Sequence, residues 1–184
     1  MEDLKYWLQL HHCPGLSDKE IVKLVDNIGS AKKVVSGSID DYKHWNFSDR
    51  TIRFLQGSAE ASIQKDLDWL FQSKRRHILT LDHCRYPKLL NTPPLVLYLQ
   101  GNLDCLSEPQ IAIVGTRNPS NQGCSNSRQF SKALANSGLV VTSGMALGID
   151  GIAHQSALDC HHSTIAVMGT GLDRIYPAKH KKLA

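Results

Sequence analysis

Three segments of this sequence place glycine next to serine or threonine directly after a short apolar run. The runs are residues 111–114, 139–142 and 164–168, and they are followed by the loop sequences GTRNPS, SGMALG and GTGLD. Glycine lets the backbone approach a ligand closely, and backbone N–H groups at a helix N-terminus attract anions. These loops therefore have the residue types to hold a phosphate group. For the middle segment alone, a tight turn that merely needs glycine is an equally good interpretation.

Helical periodicity fills the intervals between the three runs, which predicts the order strand, helix, strand, helix, strand. Such an order forms a parallel sheet with right-handed crossovers. The three loops then lie at the carboxyl ends of the strands, where open α/β sheets bind their ligands. The first of these helices, about residues 121–137, is expected to bury Phe130, Ala133 and Leu134.

Individual residues of these loops have distinct predicted roles. Arg117 stands where a dinucleotide-binding fold would have a glycine of its G-x-G-x-x-G motif, so a nicotinamide cofactor is not expected. Its guanidinium offers a bidentate fork to phosphate, although a surface salt bridge is the alternative. Ser143 and Gly144 would hold a phosphate through hydroxyl and N–H groups, and Gly148 would allow its close approach. Asp150 is expected to cap the following helix or to orient Arg117.

The first 76 residues show helical patterns. An S-x-x-E capping box at Ser17 and Glu20 opens a helix with apolar residues at positions 21, 24, 25 and 28, and Gly29 ends it. A longer helix is predicted to start from an N-cap at Ser58. The stretch PGLSDKEIVKLVDNIGS resembles a helix-hairpin-helix or SAM-like element. Such an element either contacts DNA phosphates or packs as a small bundle. The bundle is favoured, because acidic residues interrupt the few lysines.

Three motifs together carry a specific resemblance. IVGTR, SGMALGIDGIAHQSAL and TIAVMGTGLDRIYP, in this order and spacing, resemble the DNA-processing protein A (DprA/Smf) family over roughly residues 84–183. The resemblance implies an α/β fold, in which a Rossmann-like parallel sheet (residues 77–184) follows a small all-α, SAM-like or helix-hairpin-helix domain (residues 1–76). Family members continue beyond the point where this chain stops, so the sheet is expected to be truncated, incomplete at its C-terminal end.

The resemblance also implies a function and a site. The family binds and protects incoming single-stranded DNA and helps to load RecA in natural transformation and recombination, and a homodimer is expected for the full-length protein. Carried onto this chain, it adds Lys179 and Lys181, with Lys182 nearby, to the loop residues. The predicted DNA- or phosphate-binding set is Gly115, Thr116, Arg117, Ser143, Gly144, Gly148, Gly169, Thr170, Lys179 and Lys181.

Composition narrows the function classes. The 184 residues carry a formal net charge of +4, which is compatible with nucleic acid as a partner. Five cysteines without C-x-x-C spacing indicate a reducing cytoplasm, and the nine histidines lack zinc-type spacing. No metal or cofactor is therefore expected. No membrane association is expected either. The loops offer hydroxyls, N–H groups and cations but no convincing base–nucleophile pair, so no enzymatic activity is expected.

Two rival functions share parts of this pattern. Nucleotide phosphoribohydrolases of the lysine-decarboxylase-like family have the same type of sheet and phosphate loops. Their P-G-G-x-G-T-x-x-E stretch carries a catalytic glutamate, whereas the nearest match here, MGTGLD at residues 168–173, has none. A purely structural or protein-binding domain is the second rival, and a basic, glycine-lined set of loops argues against it.

Overall fold

The computed structural model describes residues 2–184, except for the side chains of Glu2 and Ser58, and the chain forms two compact units that divide between Gly101 and Asn102. The sequence placed the boundary about 25 residues earlier, after residue 76. The difference arises because Ile78, Leu95 and Val96 belong to the same buried apolar cluster as the helices that precede them. The segment 77–101 therefore folds with the helical unit.

In its described residues, the helical unit contains six α-helices: α1 Glu2–His11, α2 Asp18–Ile28, α3 Ala31–Val35, α4 Ile39–His44, α5 Asp49–Arg53 and α6 Glu60–Phe71. Serine side chains cap four of them, and the predicted capping box of Ser17 and Glu20 is present at the start of α2. The helices enclose an apolar core around Leu8, Leu10 and Tyr42. The predicted helical N-terminal region is therefore confirmed.

A kinked segment, Phe54–Ser58, joins α5 to α6, and the backbone of Gly57 within it is not helical. The helix α6 begins at Glu60, and the N-cap position is occupied by Ala59, which makes no side-chain cap. The side chain of Ser58, which was predicted to cap this helix, lies outside the described part of the structure.

An antiparallel hairpin completes the helical unit. Strand β1, Arg76–Thr80, pairs with β2, Val96–Gln100, so that Ile78 lies opposite Tyr98. The connection between the strands is fastened at two points, because the Tyr86 hydroxyl donates to the Pro94 carbonyl oxygen and the Leu95 N–H donates to the Asp18 carboxylate.

The second unit is a parallel sheet with helical crossovers. Its elements are a short 3-10 helix Leu103–Leu106, β3 Gln110–Ala112, α7 Asn121–Asn136, β4 Val140–Ser143, α8 Ile149–Asp159, β5 Thr164–Ala166 and a 3-10 helix Ala178–His180. The strand order is β3-β4-β5, all parallel, with Ile111 beside Val141 and Val141 beside Thr164. The predicted mixed α/β fold with a parallel sheet is confirmed.

The predicted buried face of α7 was wrong. Phe130 is 64% exposed and Ala133 is exposed, while Leu134 is half-buried. The buried stripe consists instead of Ser127, Ser131 and Ala135. Small side chains let α7 approach α8 closely, and Ala135 shares a core with Ala153 and Ala157 of α8 and with Val141 of β4. In the described part of the chain, no helix has the length and apolar character needed to cross a membrane.

Candidate nucleic-acid interface

The loops that follow β3, β4 and β5, together with the segment after them, form one surface of the second unit. We call residues 113–120, 144–148 and 167–182 the strand-end face. Backbone hydrogen bonds connect its parts: the Ile149 N–H donates to the Thr116 carbonyl oxygen (3.2 Å), and the Val167 N–H donates to the Ser143 carbonyl oxygen (2.8 Å). The parallel order of the strands thus brings the three predicted loops together.

Gly148 packs against the backbone of the first loop. Its φ of +80° lies in the left-handed region, and a Cβ atom there would lie 2.3 Å from the Thr116 carbonyl oxygen. The carbonyl oxygen of Arg117 would be 2.7 Å from the same Cβ atom. Only glycine fits this position, because any side chain would overlap the backbone of the first loop. The predicted role of Gly148, allowing a phosphate to approach, stays a prediction; the structure shows that Gly148 also lets the second loop pack against the loop of Arg117.

The first loop presents Arg117 to solvent. Gly115 packs so tightly against Ile149 that a Cβ atom would meet its side chain at 2.6 Å, and the Thr116 hydroxyl accepts from the Asn118 N–H at 3.2 Å. These contacts fix the backbone on both sides of Arg117. Within the part of the chain that the structure describes, the guanidinium makes no hydrogen bond or ion pair. A surface salt bridge, the alternative role for Arg117, therefore has no partner there.

Ser143 does not present its hydroxyl to the strand-end face. The side chain is 3% exposed, and its hydroxyl donates to the Ile113 carbonyl oxygen at 2.6 Å. Ser143 is the last residue of β4, and its short side chain reaches the backbone of the segment that follows the neighbouring strand β3. Its hydroxyl therefore ties β4 to the segment after β3, and the predicted hydroxyl contact with phosphate does not fit this geometry.

Asp150 stabilises the second loop from inside. It is buried, and its carboxylate accepts from the Ala146 N–H at 3.3 Å. The carboxylate also approaches Gly144, where a Cβ atom would lie 3.0 Å from Oδ2. Of the two predicted roles, capping and orienting Arg117, the structure shows a capping contact with the loop, and Arg117 is not among the hydrogen-bond partners described for Asp150. Gly144 itself is exposed on the face.

The third loop is largely exposed. Gly169 and Thr170 are both exposed, and the Thr170 hydroxyl donates to the Arg174 carbonyl oxygen at 3.3 Å. Tyr176 is 68% exposed and offers an aromatic surface on which a base could stack. This loop therefore supplies exposed backbone and an aromatic ring to the face.

His180 attaches the lysine-bearing segment to the second loop, and sequence reasoning missed it. Its Nδ1–H donates to the Met145 carbonyl oxygen at 2.9 Å, and its ring lies against Gly151. The exposed Lys179 and Lys181 flank it. The available signal was Gly151, because glycine in a helix costs about 1 kcal/mol relative to alanine and so indicates a close contact.

His154 lies behind the face and not on it. It is 1% exposed, and Nδ1 lies 2.7 Å from the Thr164 hydroxyl, which donates to the Val141 carbonyl oxygen. Burial lowers the pKa of His154; the charge of Asp150 opposes this effect and that of His180 adds to it. His154 is therefore neutral at pH 7 and serves the core.

The resulting surface suits a polyanion. Its exposed cations are Arg117, Arg174, Lys179, Lys181 and Lys182, and its exposed acid is Asp173, which lies 3.9 Å from Arg174. Among the residues described, no three His, Cys, Asp or Glu side chains gather as a metal site. Guanidinium and ammonium groups beside hydroxyls and loop N–H groups bind phosphate oxygens.

A sequence model of the family described as DNA recombination-mediator protein A matches residues 77–184 of this chain. The chain belongs to that family. The matched range includes the whole strand-end face and all ten residues of the predicted binding set.

Individual members of the DNA recombination-mediator protein A family agree with this assignment. Protein Smf of Synechocystis is 34% identical over 97% of this chain and 47% of its own length. The X-ray structure of DprA from Streptococcus pneumoniae superimposes with a TM-score of 0.77 at 26% identity, over 97% of this chain and 62% of that one. The chain spans about half the length of the curated Smf relatives from Synechocystis and Escherichia coli that it matches.

A second solved structure is DNA processing protein A from Helicobacter pylori, which was described for its single-stranded DNA binding mode. It superimposes with a TM-score of 0.51 at 34% identity, over 59% of this chain and 49% of that protein.

Proposed function

We propose that this chain binds single-stranded DNA across the strand-end face, chiefly through phosphate contacts. The observation that carries the proposal is Arg117, a guanidinium without a protein partner among the described residues, on a loop held in place by Gly115 and Gly148. A positively charged group that is fixed in position and left unpaired is suited to a phosphate from outside the protein. The single-stranded DNA binding of the Helicobacter pylori relative supports the same assignment.

The arrangement supports phosphate readout and little base readout. Arg117 supplies a fixed fork, and Lys179 and Lys181 supply point charges on a segment that His180 attaches to the second loop. Tyr176 is the aromatic ring available for stacking on this face. Binding should therefore depend weakly on base identity and strongly on salt.

The proposed role is binding and not catalysis. The hydroxyl of Ser143 is committed to the Ile113 carbonyl oxygen, and the carboxylate of Asp150 is committed to the Ala146 N–H. A phosphoribohydrolase of this kind needs a catalytic glutamate facing the nucleotide. Asp150 is buried, and the exposed acid of the face, Asp173, is an aspartate that lies 3.9 Å from Arg174.

In the cell, we propose the role of a recombination mediator. The full-length protein would protect incoming single-stranded DNA in the cytoplasm and pass it to RecA during natural transformation and recombination, acting as a homodimer. A surface that binds phosphates without reading bases suits this role, because a mediator must accept DNA of any sequence.

Fluorescence anisotropy with a labelled single-stranded oligonucleotide and the corresponding duplex tests the proposal. Tighter binding of the single strand is expected, with a log–log salt slope of roughly −2 if about three phosphates are neutralised. Equal affinity for duplex and single strand, or a slope near zero, would contradict it. Nucleotide hydrolysis that is lost in an Asp150→Ala variant would support the phosphoribohydrolase instead.

A further inference from the structure

The helical unit has an open cleft that the strand-end face does not involve. It is lined by His12, Pro14, Arg50, Arg53 and Phe54 and has a volume of about 370 Å³. We call it the arginine cleft. Ligand pockets commonly have volumes of roughly 300–1,000 Å³. The cleft lies at the lower end of this range, so it fits only a small ligand.

Specific hydrogen bonds fix the walls of the arginine cleft. The Thr51 hydroxyl donates to the Pro14 carbonyl oxygen at 2.8 Å, and the Gln9 amide donates to the Leu55 carbonyl oxygen at 2.8 Å. The first bond connects the segment after α1 to α5, and the second connects α1 to the kinked segment that begins at Phe54. The cleft is thus built by the fold and does not depend on side-chain positions alone.

The two arginines dominate the charge of the cleft. Arg50 and Arg53 are three residues apart on α5, which places them on the same side of the helix. Both are exposed, and in the part of the chain that the structure describes neither makes a hydrogen bond or ion pair. The nearby carboxylate of Asp66 is engaged by His12 at 2.6 Å. Two unpaired guanidinium groups therefore face a space whose histidine already has an acidic partner.

The remaining walls of the cleft are apolar and flat. Phe54 and Pro14 are half-buried, so each keeps part of its ring surface accessible. An aromatic ring beside guanidinium forks fits a nucleotide, whose base stacks on a ring while its phosphate takes the forks. A carboxylate side chain of a peptide would use the arginines but leave the ring surface without a partner. The composition of the walls thus favours a nucleotide over an acidic peptide.

We propose that the arginine cleft binds one nucleotide unit of a single-stranded nucleic acid. The phosphate is held by Arg50 and Arg53, and the base lies against Phe54. This site belongs to the helical unit and shares no residue with the strand-end face, so it goes beyond the function proposed above.

The direct test is a titration of the whole ¹⁵N-labelled chain with oligothymidylate, observed by nuclear magnetic resonance. The side-chain Nε–Hε signals of Arg50 and Arg53 and the backbone signal of Phe54 are expected to shift. The same titration is repeated with the Arg117→Ala variant, in which the strand-end face is weakened. Shifts in the cleft should persist there, so failure of the first site and failure of the cleft can be distinguished.

Affinity measurements then separate charge from stacking. Arg50→Gln combined with Arg53→Gln should weaken oligothymidylate binding by about fivefold or more and make the salt slope shallower by about 0.7, the value for one phosphate. Phe54→Leu should weaken binding by about fivefold or more without changing the slope, because it removes only the stacking surface. The matched control is Lys19→Gln combined with Lys23→Gln, which removes two exposed charges of the same unit outside the cleft.

Several results would overturn the proposal. One is an arginine pair variant that binds no more weakly than the lysine control while its thermal unfolding is unchanged. Another is the absence of shifts at Arg50, Arg53 and Phe54 at saturating oligothymidylate. Shifts produced by a poly-glutamate peptide but not by oligothymidylate would assign the cleft to an acidic protein segment and would likewise refute nucleotide binding.

Discussion

At the scale of single residues, Gly148 is the position on which the geometry of Arg117 depends. Gly148→Ala would force a left-handed φ on alanine and drive its Cβ atom into the Thr116 carbonyl oxygen, 2.3 Å away. We expect the free energy of unfolding to fall by at least about 1 kcal/mol and DNA binding to weaken, because the first loop must move. Urea unfolding and anisotropy measure the two effects. Gly123→Ala in α7 is the control, since its Cβ atom meets neighbours at ordinary distances of 3.4 and 3.5 Å; a loss there of similar size would contradict the argument.

Also at the residue scale, His154 should make the stability depend on pH. Burial lowers its pKa in the folded chain below the ordinary value of 6.5, so the unfolded chain takes up a proton first as the pH falls. The free energy of unfolding should therefore decrease below about pH 6.5 and should be unaffected by His154 above it. Thermal unfolding between pH 7.5 and 5 should show a weaker pH dependence in His154→Gln than in the unaltered chain. An identical pH dependence would contradict this assignment. His11 in the helical unit also has a pKa lowered by burial, so the dependence is expected to shrink without vanishing.

At the scale of elements, the attachment of the 3-10 helix Ala178–His180 to the second loop positions the lysines. His180→Ala removes the hydrogen bond to Met145 and frees the segment that carries Lys179 and Lys181. Single-stranded DNA binding should weaken about fivefold, corresponding to a net hydrogen bond of roughly 1 kcal/mol. His180→Asn, which keeps a donor, should restore part of the affinity. His162→Ala, which removes a half-buried histidine that contacts Asn136, is the matched control. Equal binding by His180→Ala and the control would show that the attachment is irrelevant to DNA.

The elements also show which features the sequence could and could not predict. The order of strands and helices determined that the three loops meet at one edge, and the capping box at Ser17 and Glu20 was visible as a motif. The buried face of α7 was missed because only apolar residues were taken to mark it, whereas two of its three buried residues, Ser127 and Ser131, are small and polar. The role of Ser143 was missed because a strand-end hydroxyl can face a neighbouring strand as easily as a ligand.

At the scale of the whole molecule, the sequence predicted the helical character of the first unit and the alternating strands and helices of the second, but not which core residues 77–101 would join. The hairpin of β1 and β2 is itself a small sheet, yet Ile78, Leu95 and Val96 pack into the core of the helical unit and not against the parallel sheet. Position in the sequence cannot reveal this, because either core could bury the same side chains. The unpaired Arg117 was predictable as a candidate, but its lack of a partner required the structure, since partners come from distant parts of the chain.

The most direct test of the central claim compares two variants that lose the same charge from the same unit. Arg117→Ala combined with Lys179→Ala alters the strand-end face, whereas Arg128→Ala combined with Lys132→Ala alters exposed positions of α7. Single-stranded DNA affinity is measured by anisotropy, with the fold checked by circular dichroism. The first variant should bind all base sequences more weakly and show a salt slope shallower by about 1.4, for two lost phosphate contacts. The second should bind nearly as the unaltered chain does. Equal affinities and slopes for the two variants would contradict a DNA site on the strand-end face.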